Sequence, residues 1–287
     1  YEGSGNLLAV YESGLGKGRD TNHLTDVENE KVIYERIWDK GEPSIPTKRG
    51  MAFGLGPDGS SGKNDWISIA AHLNPSWHYG WNPFYEAGYH PENVEWVPQL
   101  WKLDHASYST AEALAPLIEA GTVKNIILFN EPDHEGQALC LPQEAVTAAE
   151  QFQTYLTFLN IDLDDVNFIS PCMAMSAIDG DGNTKLTVDL SGDGTKDANW
   201  LKEFLDLASV KKVVSGNDVP TVKIDYIGMH KYGEGSNSAS NFNAQLKAQY
   251  EEIASWGYTQ KVWLKEFSLR RLNATTDGGT TQNNTPY

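Results

Sequence analysis

No apolar run in the 287-residue chain approaches the ~20 residues that a membrane-spanning helix needs. Positive charge is scarce: 22 Lys and Arg stand against 39 Asp and Glu, a formal net charge of −17. That balance argues against a polyanionic partner, because nucleic-acid binding uses Lys and Arg to displace counterions. A neutral polymer meets no such objection. Cysteine is nearly absent, and the two present, Cys140 and Cys172, suit either one disulfide or two buried thiols. No internal repeat and no low-complexity tract occurs. The chain opens at Tyr1, not Met, which fits removal of a signal peptide, and triplets for N-glycosylation stand at Asn273–Thr275 and Asn283–Thr285. Secretion is the resulting expectation.

Aromatic residues, in contrast, are plentiful at 11%, with nine Trp and thirteen Tyr. Such a surplus suits grooves that bind flat, amphipathic ligands. Apolar residues at 40% and charged residues at 21% describe an ordinary globular chain. The length fits one β/α-barrel, which commonly needs about 250 residues, ahead of two smaller domains.

Residues 1–47 read as an N-terminal extension with one helical stretch around Asp26–Trp38, and residues 48–287 as the β/α-barrel domain. In the latter, apolar segments alternate with helical patterns, which predicts β/α units and a parallel sheet. The strands expected are Arg49–Gly54, Ser76–Trp81, Glu95–Trp101, Asn125–Asn130, Asn167–Cys172, Ile224–His230 and Lys261–Glu266. Runs such as Ile126-Ile127-Leu128-Phe129 fit strands buried on both faces. Helices are expected from a Ser109–Glu112 capping box to Gly121, then over Pro142–Asn160, Asn199–Lys212 and Ser240–Trp256. Seven strands are visible where a (β/α)8 TIM barrel wants eight, so the eighth unit is missing or supplied elsewhere. Pro98 and Pro171 are awkward inside central strands, and strand ends or bulges there would resolve this.

Two glutamates stand where apolar strands give way to loops. Glu131 follows the fourth strand, in Asn130-Glu131-Pro132-Asp133, and Glu266 ends the seventh, in Val262-Trp263-Leu264-Lys265-Glu266-Phe267. In a β/α-barrel that rim gathers the catalytic groups. Paired carboxylates are what acetal hydrolysis requires, one protonated to serve the leaving oxygen and one ionised to attack the anomeric carbon. A neighbouring negative charge and an apolar strand end would raise the pKa of one of them. Asn130 is placed to hydrogen-bond a sugar 2-hydroxyl. Two-residue alternation predicts that Val262, Leu264 and Glu266 share one face while Trp263 and Lys265 turn away.

A strand-ending Asn-Glu-Pro with a later strand-ending Glu resembles the clan of retaining glycosidases on β/α-barrels. Within it the chain most resembles glycoside hydrolase family 128. The matching pieces are Lys48–Phe53, Ser76–Trp81, Val97–Trp101, Ile127–Asp133, Ser170-Pro171, Trp200-Leu201, Asp225–His230 and Trp263–Phe267, in family order. The resemblance implies a TIM barrel, an endo-β-1,3-glucanase activity on β-glucan, Glu131 as acid/base and Glu266 as nucleophile. No metal or organic cofactor is implied. Lys265 departs from the small polar residue usual before the nucleophile, Leu128 from a frequent Gly, and the family's last strand is not seen. Two rivals follow: another retaining β-glycanase of the clan, or a catalytically weak glucan-binding protein on the same scaffold.

Tyr79, Trp81 and Trp101, near the strand ends, are expected as sugar platforms, and His230 and Tyr232 as substrate contacts or as orienters of Glu266. Trp77, lower on its strand, is as readily a core residue. Asp179–Asn183 and Asp189–Gly194 have the look of Ca²⁺ loops, but the twelfth position counted from Asp189 is Trp200, where a carboxylate is needed. A polar loop is the better account.

Overall fold

The computed structural model of the protein describes residues 50–52, 75–84, 90, 94–134, 136–174, 177–178, 184–185, 187–188, 198–232 and 239–268. The expected helix around residues 26–38, the two acidic loops and the glycosylation triplets lie outside them.

All seven expected strands form. β1 (Gly50–Ala52) pairs in parallel with β2 (Trp77–Tyr79), and β2 with β3 (Glu95–Trp96). β4 (Asn125–Ile127) pairs with β5 (Asn167–Ile169), β5 meets β6 (Tyr226–Tyr232), and β6 runs along β7 (Lys261–Ser268), all in parallel. A parallel bridge between Gln99 and Ile127 joins the two groups, so neighbours follow chain order. The result is a mixed α/β fold with parallel sheets, and among the described residues no pairing joins β7 to β1.

The strands are mostly shorter than expected, and proline shows why in two of them. β3 stops before Pro98 and β5 before Pro171, since neither residue can donate to a ladder. Beyond β3 the chain still holds its neighbour, with the Ile127 amide donating to the Pro98 carbonyl at 2.9 Å.

Helices α1 (Tyr108–Glu119), α2 (Pro142–Phe158), α3 (Trp200–Ser209) and α4 (Ala239–Ser255) accompany the strands. The cap of α1 is Ser107, whose hydroxyl accepts from the Thr110 amide, and not Ser109 as the capping-box pattern predicts. Either serine satisfies an N-cap chemically; the extended backbone at Ser107 decides which does. The third helix ends earlier than the periodicity predicts. Residues Lys211–Val214 and Asn217–Pro220 form an antiparallel hairpin instead, turning at Ser215 (φ 51°) and Gly216 (φ 82°). Positive φ at both central residues is the hairpin turn that matches strand twist.

Alternation sorts the strand residues into two cores. Ile126, Leu128, Phe168, Ile227 and Met229 pack with the helices, together with Phe152, Trp200 and Phe204. Ile127, Ile169, Tyr226 and Trp263 join Trp77, Tyr79 and Val97 in a second cluster on the opposite side. Burying each of the large side chains contributes roughly 1.5–3 kcal/mol. Trp77 is thus a core residue, its ring 5.0 Å from that of Trp263. His78, on the other side of β2 from its neighbours, meets His90 at 3.1 Å. Burial, aided by the charge of His90, lowers the His78 pKa to about 3, and burial lowers that of His90 to about 4. The pair is therefore neutral at ordinary pH. Cys140 and Cys172 are both buried and free, and burial with the charge of Glu144 pushes the Cys140 thiol up to about 12.

Candidate active site

The far end of β7 breaks the regular pleat. Met229 pairs with Leu264, but the next residue of β6, His230, pairs with Glu266, so Lys265 is an extra residue in a β-bulge. Val262 and Leu264 pack toward the helices and Trp263 toward the second cluster. The bulge then turns Lys265 and Glu266 to one side. The expectation that Glu266 shares a face with Val262 and Leu264 while Lys265 points away is overturned, because two-residue alternation does not survive an inserted residue.

Four groups converge on Glu266 Oε1. The Tyr79 hydroxyl donates at 2.8 Å and the Trp81 indole N–H at 2.9 Å. Lys265 Nζ stands at 3.0 Å and His230 Nε2 at 3.4 Å. An oxygen so surrounded by donors suits a carboxylate and not an acid. Tyr79 is fully buried, so the structure places it on the glutamate and not on the open surface.

Glu131 arrives from the other side. After β4, Asn130 bridges to Cys172 and the Glu131 amide donates to the Cys172 carbonyl at 2.8 Å. Glu131 has φ 43°, a left-handed conformation uncommon outside Gly, Asn and Asp. This turn brings its carboxylate within 3.1 Å of His230 Nδ1, with 14% of the side chain exposed. His230 thus stands between the two glutamates, one ring nitrogen toward each. Burial pulls its pKa down most strongly, but the charge of Glu266 together with the charge and hydrogen bond of Cys172 outweighs this and raises it to about 9. At neutral pH it is an imidazolium, hydrogen-bonded to Glu131 through Nδ1 and within ion-pair distance of Glu266 at Nε2.

Asn130 is held on three sides. Its Oδ1 accepts from Lys265 Nζ at 2.7 Å and from Gln99 Nε2 at 3.0 Å, and its Nδ2 donates to Gln137 Oε1 at 3.0 Å. Gln137 also accepts from the Trp101 indole at 3.0 Å, which ties Trp101 to the site, while Lys102 covers that ring at 4.5 Å. Asp133 accepts from the Ala174 amide at 2.8 Å and so links the loops after β4 and β5; burial raises its pKa. Tyr232 closes β6, and its side chain lies outside the described residues.

Glu131, His230 and Glu266 bring one potential ligand atom each to within 4.8 Å of one another, a spacing that could hold a metal ion. A protonated imidazole has no lone pair to give, and the ammonium of Lys265 already brings a positive charge to Glu266. The cluster is better described as ion-paired than as a metal centre. Gln99, Gln137 and Lys265 were not legible as site residues in the sequence. For Gln99 and Lys265 the signal was polarity near strand ends otherwise built from apolar side chains; Gln137, in the loop after β4, carried none.

Paired carboxylates at the ends of parallel strands are the equipment of acid–base hydrolases. The sequence profile of the glycosyl hydrolase catalytic core matches residues 50–286, and the chain belongs to that family. It is a glycoside hydrolase. No curated protein matches it significantly. Solved structures similar in fold include a mutant endo-β-1,3-glucanase of family 128, subgroup I, from Amycolatopsis mediterranei, in complex with laminaripentaose. It is 21% identical over 80% of this chain and 75% of its own, with a TM-score of 0.51. The subgroup II endo-β-1,3-glucanase of Sorangium cellulosum is 21% identical over 79% and 76%, with a TM-score of 0.51. A subgroup III curdlan-specific exo-β-1,3-glucanase from Blastomyces gilchristii, in complex with glucose, is 23% identical over 78% of each chain, with a TM-score of 0.50. At these identities the likeness is one of fold.

Proposed function

We propose that the chain is a retaining endo-β-1,3-glucanase of glycoside hydrolase family 128, with Glu131 as acid/base and Glu266 as nucleophile. The observation that carries this reading is the pair of glutamates, with carboxylate oxygens within 4.8 Å of each other and His230 between them. Retaining glycosidases hold their carboxyl groups about 5–5.5 Å apart, and inverting enzymes need about 6.5–9.5 Å to admit a water. The fold is read as a (β/α)8 barrel. Supporting this, Trp77 of the second strand rests against Trp263 of the seventh, and Tyr79 reaches Glu266, as strands curving toward closure would allow.

In the first step a Glu266 oxygen bonds to the anomeric carbon as the glycosidic C–O bond breaks, and Glu131 gives its proton to the departing oxygen. Water then attacks the same carbon, Glu131 takes the water's proton, and the Glu266 ester bond breaks. The β configuration is restored by two inversions. Asn130, Trp81, Trp101, His230, Tyr79 and Tyr232 form the proposed substrate and orienting shell. A polymeric glucan is met outside the cell, so secretion belongs to this reading.

Incubation with laminarin is expected to release reducing ends, with early products of several sizes and the β anomer first in NMR spectra. An α-first product would exclude retention. Glucose as the sole early product would replace endo by exo action, and release only from β-1,4-glycans would move the substrate to another linkage.

A further inference from the structure

We propose that Lys265 is a positioning residue of this site, a buried ammonium that fixes the amide of Asn130 and keeps Glu266 the anion that attacks. The inference rests on the reading of Glu266 as nucleophile. Lys265 reaches Asn130 Oδ1 at 2.7 Å and Glu266 Oε1 at 3.0 Å, lies 4.8 Å from the centre of the Tyr79 ring, and has no exposed side-chain area. A charge placed so deep is costly unless its partners are well arranged. Here they are an amide oxygen, a carboxylate and an aromatic face, all of them groups of the site itself.

Each contact has a chemical consequence. An ammonium only donates, so it can face only the oxygen of the Asn130 amide. With Gln99 donating to the same oxygen, Nδ2 is turned the other way, and only one of its two hydrogens is used by Gln137. The second hydrogen is left for a sugar hydroxyl. Toward Glu266 the ammonium favours the ionised form and becomes a fixed countercharge when the ester bond to sugar breaks. Among the contacts of the described residues, Glu266 also faces Tyr79 from β2, Trp81 beyond it, His230 from β6 and Glu131 after β4. His230 is a cation there too, but it also serves Glu131. Lys265 pairs with the nucleophile and with Asn130 and makes no ion pair with the acid. The β-bulge supplies this lysine: a regular strand could not turn consecutive side chains to one side.

Lys265→Met retains length and removes the charge, and Lys265→Arg retains the charge. In Lys265→Met, kcat on laminarin is expected to fall at least tenfold with KM within about twofold, as for an interaction realised mainly in the transition state. The acid limb of kcat/KM moves to higher pH, and Lys265→Arg restores that limb even if kcat recovers only in part. A merely structural lysine would lower the melting temperature and leave the limb in place. Independently of turnover, ¹³C NMR of Glu-labelled protein, assigned through Glu266→Gln, is expected to show the Glu266 carboxyl titrating at higher pH in Lys265→Met. An unmoved titration midpoint overturns the proposal. Loss of all laminarin turnover by the wild type would instead sink the glucanase reading and leave the NMR result to judge Lys265.

Discussion

Glu266→Gln is expected to lower reducing-sugar release from laminarin by about 10⁴-fold or more, the scale seen when a covalent nucleophile is removed. Glu131→Gln costs roughly 10²–10⁴-fold, the worth of general acid–base catalysis. The amides retain size and leave Tyr79, Trp81 and His230 in place. Glutamine, though, offers an N–H where a carboxylate was, so the alanine forms separate the roles more cleanly. In Glu266→Ala, azide in the vacated space attacks the β-glucoside directly and gives an α-glycosyl azide. In Glu131→Ala, a substrate with a good leaving group still forms the glycosyl-enzyme. Azide then displaces Glu266 and gives the β product. Identical anomers from both variants would refute the double displacement, and reversed anomers would exchange the two assignments.

Gly228→Ala carries the largest expected effect on folding. The Gly228 amide donates to the Ser170 hydroxyl at 2.9 Å, and a Cβ there would lie 2.4 Å from Cys172 Sγ and 2.6 Å from the Ser170 carbonyl oxygen. The second of these is backbone and cannot swing aside, so β6 and β5 must part. Overpacking of this kind costs about 3 kcal/mol, and a chain of this size loses roughly 2–4 °C in Tm per kcal/mol. Since His230 lies two residues further along β6, activity falls with stability. Adding Cys172→Ala relieves the thiol clash alone, so the double variant should regain only part of the loss. Full recovery, or a single variant within 1 °C of wild type, would show that the strands are not so tightly apposed.

The strand-ending glutamates were legible because three signals agree: apolar runs of strand length, helical periodicity between them, and acidic residues where the runs stop. Trp77 and the free thiols were left open by the sequence and settled by packing. What the sequence hid has a common physical cause. A bulge has no composition of its own, so Lys265 and Glu266 read as opposite faces of one strand. The network of Gln99, Asn130, Gln137 and Lys265 joins side chains from three segments, and no local pattern announces such a meeting. The hairpin does carry a local signal, since Ser215-Gly216 between valine-containing runs is a turn pattern. The Ser107 cap was undecidable locally, with two serines equally suited.

Tyr79 and Glu266 are 187 residues apart, Asn130 and Lys265 are 135, and Glu131 and His230 are 99. Helices and neighbouring β/α pairs form from local contacts, but such distant partners meet only after nearly the whole chain is in place, because long loops must be closed first. Hydrolysis is thus expected to report on contacts made late in folding. In rising denaturant, laminarin turnover should disappear before far-UV ellipticity, and coincident curves would mean that the site and its helices rise and fall as one cooperative unit.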